Sequence, residues 1–375
     1  MNKELTSREA AALLGVSAAT LYAYVSRGLL ASIPDGAARS KRYAREEVLR
    51  LAARKADGKR AGHAVAAAMH WGVPVLESRI SLIADGKLFY RGRNSSELAA
   101  YATLEQTAAI LWDDAPGEAA APHGTPALPP AVAALGRAMP PLERAMAFLP
   151  VLAARPATQA QLMRMLAALL LDTEISSAPL HEQVARAWGV DGAGQELLRA
   201  ALVLLADHEL NTSAFTVRCV ASTGAALPAV LCAGLAALSG REHGGHYLMA
   251  KAVLEAQLRG EGQAQLPPMQ PGFGHPLYPD GDPRATLLLE MMRPLPQAAG
   301  VLALAARAAA SKGAEPNSDY ALAALELVLD LPPHSGIILF ALARSAGWLA
   351  HAAEQATDGA MIRPRARYVG DYSAG

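Results

Sequence analysis

Four short stretches of the chain concentrate side chains able to move protons beside a carbonyl group. They are His208-Glu209-Leu210-Asn211, the turn Arg241-Glu242-His243-Gly244-Gly245, the loop Pro271-Gly272-Phe273-Gly274-His275 with Asp282-Pro283-Arg284 after it, and Pro316-Asn317-Ser318-Asp319 ahead of an apolar run. A carboxylate such as Asp319 can take a proton, and one or two imidazoles can polarise carbonyl oxygens. An arginine such as Arg284 can clamp a carboxylate through two parallel hydrogen bonds. His243 precedes two glycines and a helical run over 248–258. The positive end of a helix dipole disfavours imidazolium there, leaving a neutral ring to donate toward a developing enolate. A metal centre is not expected: His208, His243 and His275 lack the i, i+4 spacing of helical zinc motifs, and no cysteine accompanies them.

The elements that must carry these groups are helices. Among the 375 residues 52% are hydrophobic, chiefly Ala and Leu, and only 5% are aromatic; that composition favours helix over sheet. Apolar-periodic segments from about residue 73 onward are separated by turns such as Pro129-Pro130, Pro140-Pro141 and Pro332-Pro333, and the Gly117–Pro130 stretch reads as a loop. One β-prone patch, 78–90, has two short runs joined by Asp85-Gly86, a hairpin signal. The longest apolar stretch, 225–238, is about 14 residues and contains Pro228, against the roughly 20 residues needed to span a bilayer. The N-terminus has no apolar segment of the signal-peptide kind. The expectation is a soluble, cytoplasmic protein, with Cys219 and Cys232 as buried reduced thiols in helices.

Net charge is zero but unevenly spread. Residues 1–60 hold twelve Lys or Arg against six acids, leaving 22 against 28 in the remainder. Within the basic end, Thr6-Ser7-Arg8-Glu9 is a capping box opening a helix that buries Ala10, Ala11, Leu13 and Leu14. Gly15 breaks that helix, and Val16-Ser17 restarts a second one that runs through Val25, the signature of a helix-turn-helix. Its polar residues Ser17, Thr20, Tyr22 and Tyr24 are candidates for base edges. Arg39, Lys41 and Arg42 form a basic wing that can meet phosphates, and a helix is expected from Ala44 to Lys55. Domain docking is the competing use of this basic module. The expected layout is a module over 1–55, a linker over 56–72 and a helical body over 73–375.

Residues 1–55 resemble the MerR/excisionase type of winged helix-turn-helix. The body resembles the citrate synthase family, on the His208–Asn211 run, the His243-Gly-Gly turn, Gly272-Phe273-Gly274-His275 with Asp282-Pro283-Arg284, and Pro316-Asn317 with Asp319, all in the family's order. The entry Tyr90-Arg91-Gly92 and the closing run 363–370 resemble the family's ends, so the likeness covers roughly 73–370. It implies a mostly all-α fold with large and small helical domains (the small one about 245–330), in a homodimer or a higher homo-oligomer. It implies a tricarboxylic-acid-cycle acyltransferase that joins acetyl-CoA to oxaloacetate, with no cofactor beyond the CoA thioester itself. On that likeness Asp319, His243 and His275 are catalytic. His208, Arg284, Arg344 and a partner's Arg363 hold oxaloacetate, while Lys312 and the Pro271, Gly272, Phe273 and Gly274 backbone meet CoA. Where the family has Ala-Asn after the His-Gly-Gly turn, this chain has His246-Tyr247. Two alternatives stay open: a 2-methylcitrate synthase using propionyl-CoA, and a DNA-binding regulator whose body senses metabolites.

Overall fold

The computed structural model describes residues 4–26, 29–34, 41–51, 76–113, 130–153, 156–261, 271–312, 315–366 and 368–370. The chain divides into two compact units, Met1–Glu77 and Ser78–Gly375. The expected linker at 56–72, the loop tip at 114–129 and wing residue Arg39 lie outside the described residues.

In the first unit, strand β1 (Glu4–Thr6) leads into α1 (Ser7–Leu14), then α2 (Ala18–Ser26), β2 (Ile33–Pro34), β3 (Lys41–Ala44) and a helix α3 over 45–51. The expected capping box is present. Thr6 N–H donates to Glu9 Oε2 at 2.8 Å, and Glu9 N–H donates to Thr6 Oγ1 at 3.3 Å. Gly15 takes the left-handed φ of 60° that closes α1. Strand β3 lies between β1 and β2, antiparallel to both. A small core of Leu5, Ala10, Ala11, Leu14, Leu21, Leu30, Tyr43 and Val48 holds the unit together. Leu13 only borders that core.

The second unit opens with the hairpin β4 (Ser81–Ala84) and β5 (Lys87–Tyr90), extended by β6 (Arg93–Asn94). Asp85 and Gly86 both have positive φ, 51° and 69°, as the turn signal requires. Helices follow: α4 (Ser95–Leu98), α5 (Leu104–Trp112), α6 (Pro130–Arg137), α7 (Pro141–Leu152), α8 (Gln159–Leu171), α9 (Leu180–Trp188) and α10 (Gly192–Leu204). Next come α11 (Thr212–Ala221), α12 (Leu227–Leu238), α13 (Gly245–Leu258), α14 (Pro283–Met292), α15 (Ala299–Lys312), α16 (Ser318–Val328) and α17 (Ser335–Asp358).

Helix α17 is the axis of this unit. Every residue from Ser335 to Ala352 is buried, and the helix packs against α5, α8, α10, α11, α12 and α16. It has 24 residues and a mean hydropathy of 1.3 over its most apolar window, so by length and composition it could cross a membrane. Counting only uninterrupted apolar runs misses it, because Arg344 and Ser345 divide it. That window is 94% buried inside the protein, so α17 is a core helix. Gly347 lets it approach closely: its N–H donates to Ala206 O at 3.1 Å, and a Cβ there would collide with Asp207. Cys219 on α11 and Cys232 on α12 are free and half-buried, which corrects the expectation of full burial. Both lie on the rims of their helices rather than on the faces that pack inward, where Val217, Arg218, Leu231 and Leu235 sit.

Candidate active site

Three of the Asn or Asp caps each stand beside a singled-out residue. Asn211 caps α11, three residues after His208, by accepting the N–H groups of Ser213 and Ala214, each at 3.1 Å. Asp282 caps α14, whose second residue is Arg284. Asn317 caps α16, whose second residue is Asp319, accepting the Asp319 N–H at 3.0 Å. Such caps satisfy otherwise orphaned N–H groups and fix where a helix begins. The first-turn side chains therefore stand at defined places.

One half of the cluster suits carboxylates. Arg284 is buried and forked onto Asp282, with Nε to Oδ1 at 2.9 Å and Nη2 to Oδ2 at 2.7 Å. Asp282 Oδ2 also accepts the Ser318 N–H at 3.0 Å, fastening α14 to the start of α16. Burial pushes the Asp282 carboxyl up, yet the Arg284 guanidinium outweighs it and holds the group below the usual carboxylate range. Arg344 is also buried; its Nε donates to Leu205 O at 2.9 Å, and its guanidinium lies 4.6 Å from the Phe340 ring centroid. Its Nη2 is buried with no hydrogen-bond partner. Burial first, with the Arg284 cation adding to it, pulls the group down to about 10. Beside these cations stand His208 and His275, ring centroids 5.1 Å apart. His208 Nε2 meets Tyr278 Oη at 3.0 Å. His275 Nδ1 accepts the Leu277 N–H at 3.2 Å, so its neutral ring carries the proton on Nε2. Burial and the Arg284 charge hold His208 well below its usual range and His275 at about 4. Both rings are neutral at pH 7.

The other half suits proton transfer. His243 lies in the turn before α13, half-buried, with its Nε2 2.9 Å from Ser213 Oγ. That hydroxyl also accepts Trp348 Nε1–H at 3.1 Å and donates to Asn211 Oδ1 at 2.7 Å. Its one proton goes to Asn211 Oδ1, so toward the ring the Ser213 oxygen accepts, from His243 Nε2–H. Nε2 is then the protonated nitrogen of a neutral His243. Burial and the Arg344 charge lower this imidazole to about 4. Asp319 runs the other way: burial raises its carboxyl to about 6, against the pull of His246 and Arg284. His246, in the first turn of α13, acts electrostatically on both Asp319 and His243, and its Nε2 is 3.5 Å from Glu242 Oε2.

The loop and the base-bearing turn are sewn together. Gly274 N–H donates to Glu315 O at 2.8 Å, Asn317 N–H to Gly272 O at 2.9 Å, and Asn317 Nδ2 to Gly274 O at 3.0 Å. Phe273 bridges to Pro316. Gly272 O and the Gly274 N–H and C=O groups are therefore bonded to the turn before α16, which tethers His275 to Asp319. Pro271 is half-buried at the start of this loop. Lys312 ends α15, and its side chain lies outside the described residues. Arg363 is exposed in the C-terminal tail, its Nη1 donating to Pro364 O at 3.0 Å, and so does not join the cluster on its own chain.

Sequence reasoning missed Ser213, Trp348, Tyr278, Phe340 and His246. Ser213 was within sight of a detectable signal, two residues past the Asn cap. Trp348 and Phe340 lay in α17 with no local mark. Among the described residues no group of His, Cys, Asp and Glu is arranged to hold a metal ion.

On the first unit, Ser17 is exposed and Thr20 half-buried, with their hydroxyls 2.9 Å apart, and Ser17 Oγ also accepts the Thr20 N–H at 3.2 Å. Tyr22 is 49% exposed, and the Lys41 ammonium lies 5.9 Å from its ring centroid, placing the strand β3 cation over helix α2. Arg42 is half-buried. Tyr24 packs against the unit's core, which corrects the expectation that it faces bases: two residues on from Tyr22, it is turned about 200° around the helix.

Comparison with known proteins adds to this geometry. A model described as citrate synthase, C-terminal domain, matches residues 68–365, and one described as a helix-turn-helix domain matches 4–56. The chain is 33% identical over 195 residues to a citrate synthase of Haloferax volcanii, covering 47% of this chain and 50% of that protein. It is 32% identical over 191 residues to a citrate/2-methylcitrate synthase of Bacillus subtilis, covering 47% and 51%. The matched part thus spans about half the length of these curated relatives. Among solved structures, citrate synthase from Thermotoga maritima superposes with a TM-score of 0.67 at 25% identity, over 81% of this chain and 96% of that one. The ternary complex of carboxymethyl coenzyme A and oxaloacetate with the Thermoplasma acidophilum enzyme gives 0.66 at 24% identity, over the same 81% and 96%, and shows the shared fold.

Proposed function

The chain belongs to the citrate synthase family, and from that membership we propose that it condenses acetyl-CoA with oxaloacetate to give citrate and free CoA. The observation that carries the reading is one cluster holding a carboxyl raised to about 6, neutral imidazoles and two buried guanidiniums, one with an unpartnered Nη2. Arg284, Arg344 and His208 grip the two carboxylates of oxaloacetate. Asp319, ionised at pH 7, takes a proton from the thioester methyl group while His243 stabilises the carbonyl oxygen that becomes the enol. The methyl carbon then attacks the 2-oxo carbon, and His275 Nε2–H supplies the proton to the new alkoxide. Water cleaves the resulting thioester and releases CoA as the thiol. Neutral imidazoles suit this chemistry because they donate a hydrogen bond without adding a charge that would be buried at a cost.

Lys312 and the 271–274 loop face CoA, and a small domain over about 245–330 closes on it, excluding water until the carbon–carbon bond has formed. Arg363, exposed on its own chain, completes the site of a second copy in a homodimer. Propionyl-CoA differs from acetyl-CoA by one methylene, a difference worth only about 1–3 kcal/mol in a pocket. The test is CoA release from acetyl-CoA and from propionyl-CoA, each with and without oxaloacetate. Oxaloacetate-dependent release establishes a synthase, and the ratio of the rates names the acyl group. Silence from folded protein sinks the enzyme reading in favour of a metabolite sensor.

His246 gives this reading a pH signature. Its cationic form favours the ionised state of Asp319, so removing it lets burial and the Asp282 charge raise that carboxyl further. In His246→Ala the acidic limb of the kcat–pH profile should move to higher pH. An unmoved limb, or one displaced downward, would contradict this coupling.

The basic N-terminal unit binds DNA in this reading. What supports it is the match to a helix-turn-helix model together with Lys41 standing over the exposed Tyr22. The face offered to bases is centred on Tyr22, because the Ser17 and Thr20 hydroxyls are already engaged with each other. Replacing Lys41 and Arg42 by Ala should weaken binding to mixed-sequence duplex and shrink the log–log salt slope by about 2, since each neutralised phosphate contributes about 0.9. An unchanged slope would remove β3 from the interface.

A further inference from the structure

Two buried polar side chains have no part in the scheme above. Tyr247 is 1% exposed and Glu326 is 3% exposed. Glu326, late in α16, accepts the Tyr247 phenol O–H from α13 on Oε2. The same oxygen accepts the Gly336 N–H from the first turn of α17 at 3.2 Å. Its other oxygen lies 3.3 Å from Lys251 Nζ, which also holds Glu255 Oε1 at 2.6 Å on α13. One carboxylate thus fastens three helices. They are the helix that follows the His243 turn, the helix whose first turn carries Asp319, and the helix that carries Phe340 and Arg344.

The contact also has a shaped seat. Gly336 leaves room for the Tyr247 ring, and a Cβ there would run into it. Burying a carboxylate among helices is seldom the most stable arrangement, since apolar side chains of similar volume often serve as well or better. What directed hydrogen bonds add is register. Helices packed through smooth apolar faces can slide by fractions of an ångström, whereas a phenol and a backbone N–H converging on one oxygen tolerate little displacement. Proton abstraction from carbon is sensitive to such slippage: a misplacement of about 1 Å can cost about a hundredfold in rate.

We propose that Tyr247 and Glu326 are positioning residues that hold α13 in register against α16 and α17, keeping the His243 imidazole and the Asp319 carboxyl at their working separation across the thioester methyl group. This rests on the synthase reading. The test uses the full chain with three replacements. Tyr247→Phe keeps the ring on Gly336 and removes only the hydroxyl. Glu326→Gln keeps an acceptor for both donors, and Glu326→Ala removes it. The readouts are kcat and KM for each substrate, the deuterium isotope effect with methyl-deuterated acetyl-CoA, and the folded fraction at the assay temperature. Tyr247→Phe and Glu326→Ala should lower kcat at least tenfold per folded molecule, with each KM within about threefold of the parent and a larger isotope effect. Glu326→Gln should restore kcat to within about threefold. Tyr247→Phe with parental kcat and isotope effect, or losses that follow only the folded fraction, would overturn the proposal while the parent remains a synthase. A parent that releases no CoA would overturn the function and this inference together.

Discussion

With Asn in place of Asp319, turnover should fall by about a thousandfold, within the range a positioned general base contributes, while the folded protein becomes more stable. Both effects have one cause. Burial raises the Asp319 carboxyl from 3.8 to about 6, so the native state holds this group as an anion at pH 7 only against desolvation. Two pKa units correspond to roughly 2–3 kcal/mol. Asn keeps the size and the α16 cap, which uses the backbone N–H of residue 319, but carries no charge. The sign with pH follows. Below about pH 4 the carboxyl is protonated in folded and unfolded chains alike, and Asp319→Asn should match the parent. As pH rises from about 4 to 6 the unfolded chain ionises first, so the parent loses stability that the variant keeps. Above about 6 the gap is constant. Urea unfolding at pH 4, 5, 6 and 7, beside kcat and oxaloacetate binding, checks all of this. Retained turnover would remove Asp319 as the base, and a stability gap that shrinks with rising pH would contradict its raised carboxyl.

Arg344→Met should raise the KM for oxaloacetate by about a hundredfold to a thousandfold, with the KM for the acyl-CoA close to parental. Arg284 is neutralised in place by its fork to Asp282. Arg344 keeps a buried Nη2 without a partner and a proton affinity pulled down to about 10 by burial. A substrate carboxylate supplies the missing acceptor, and truncating one side of a buried charge pair costs about 2–5 kcal/mol. The same residue is a burden to the unliganded protein, so the variant should melt no lower than the parent in buffer. The rise in melting temperature that oxaloacetate gives the parent should vanish. Lys would not rescue, because an ammonium lacks the planar fork that a carboxylate meets with two bonds. A KM for oxaloacetate within threefold of the parent would take Arg344 out of the binding site.

How far these features could be read from the chain depends on the reach of the interactions. Those written within four or so residues were legible. The Thr6/Glu9 box and the Asp85-Gly86 turn each follow from local chemistry. The likeness of spaced motifs then indicated which local signals belong together. Contacts decided by packing were not legible: Ser213 meets Trp348 across 135 residues, and Tyr247 meets Glu326 across 79. Nor does any short window say which side of α2 faces inward; Tyr22 and Tyr24 differ only by rotation about the helix, and only one stays outside. The length of α17 was hidden because charge and hydroxyl groups break its apolar run, and both are accommodated inside, Arg344 on Leu205 O and Ser345 on Leu342 O.

The Ser213 hydroxyl touches two very different rings, His243 at one lone pair and the fully buried Trp348 indole at another. An indole in that position is a built-in optical probe. Its emission responds to the polarity and motion of the hydroxyl it bonds, and an imidazolium arriving nearby quenches it. Changes at the His243 turn as ligands arrive are therefore open to observation in the unlabelled protein through the fluorescence of a single tryptophan, once Trp71, Trp112 and Trp188 are replaced.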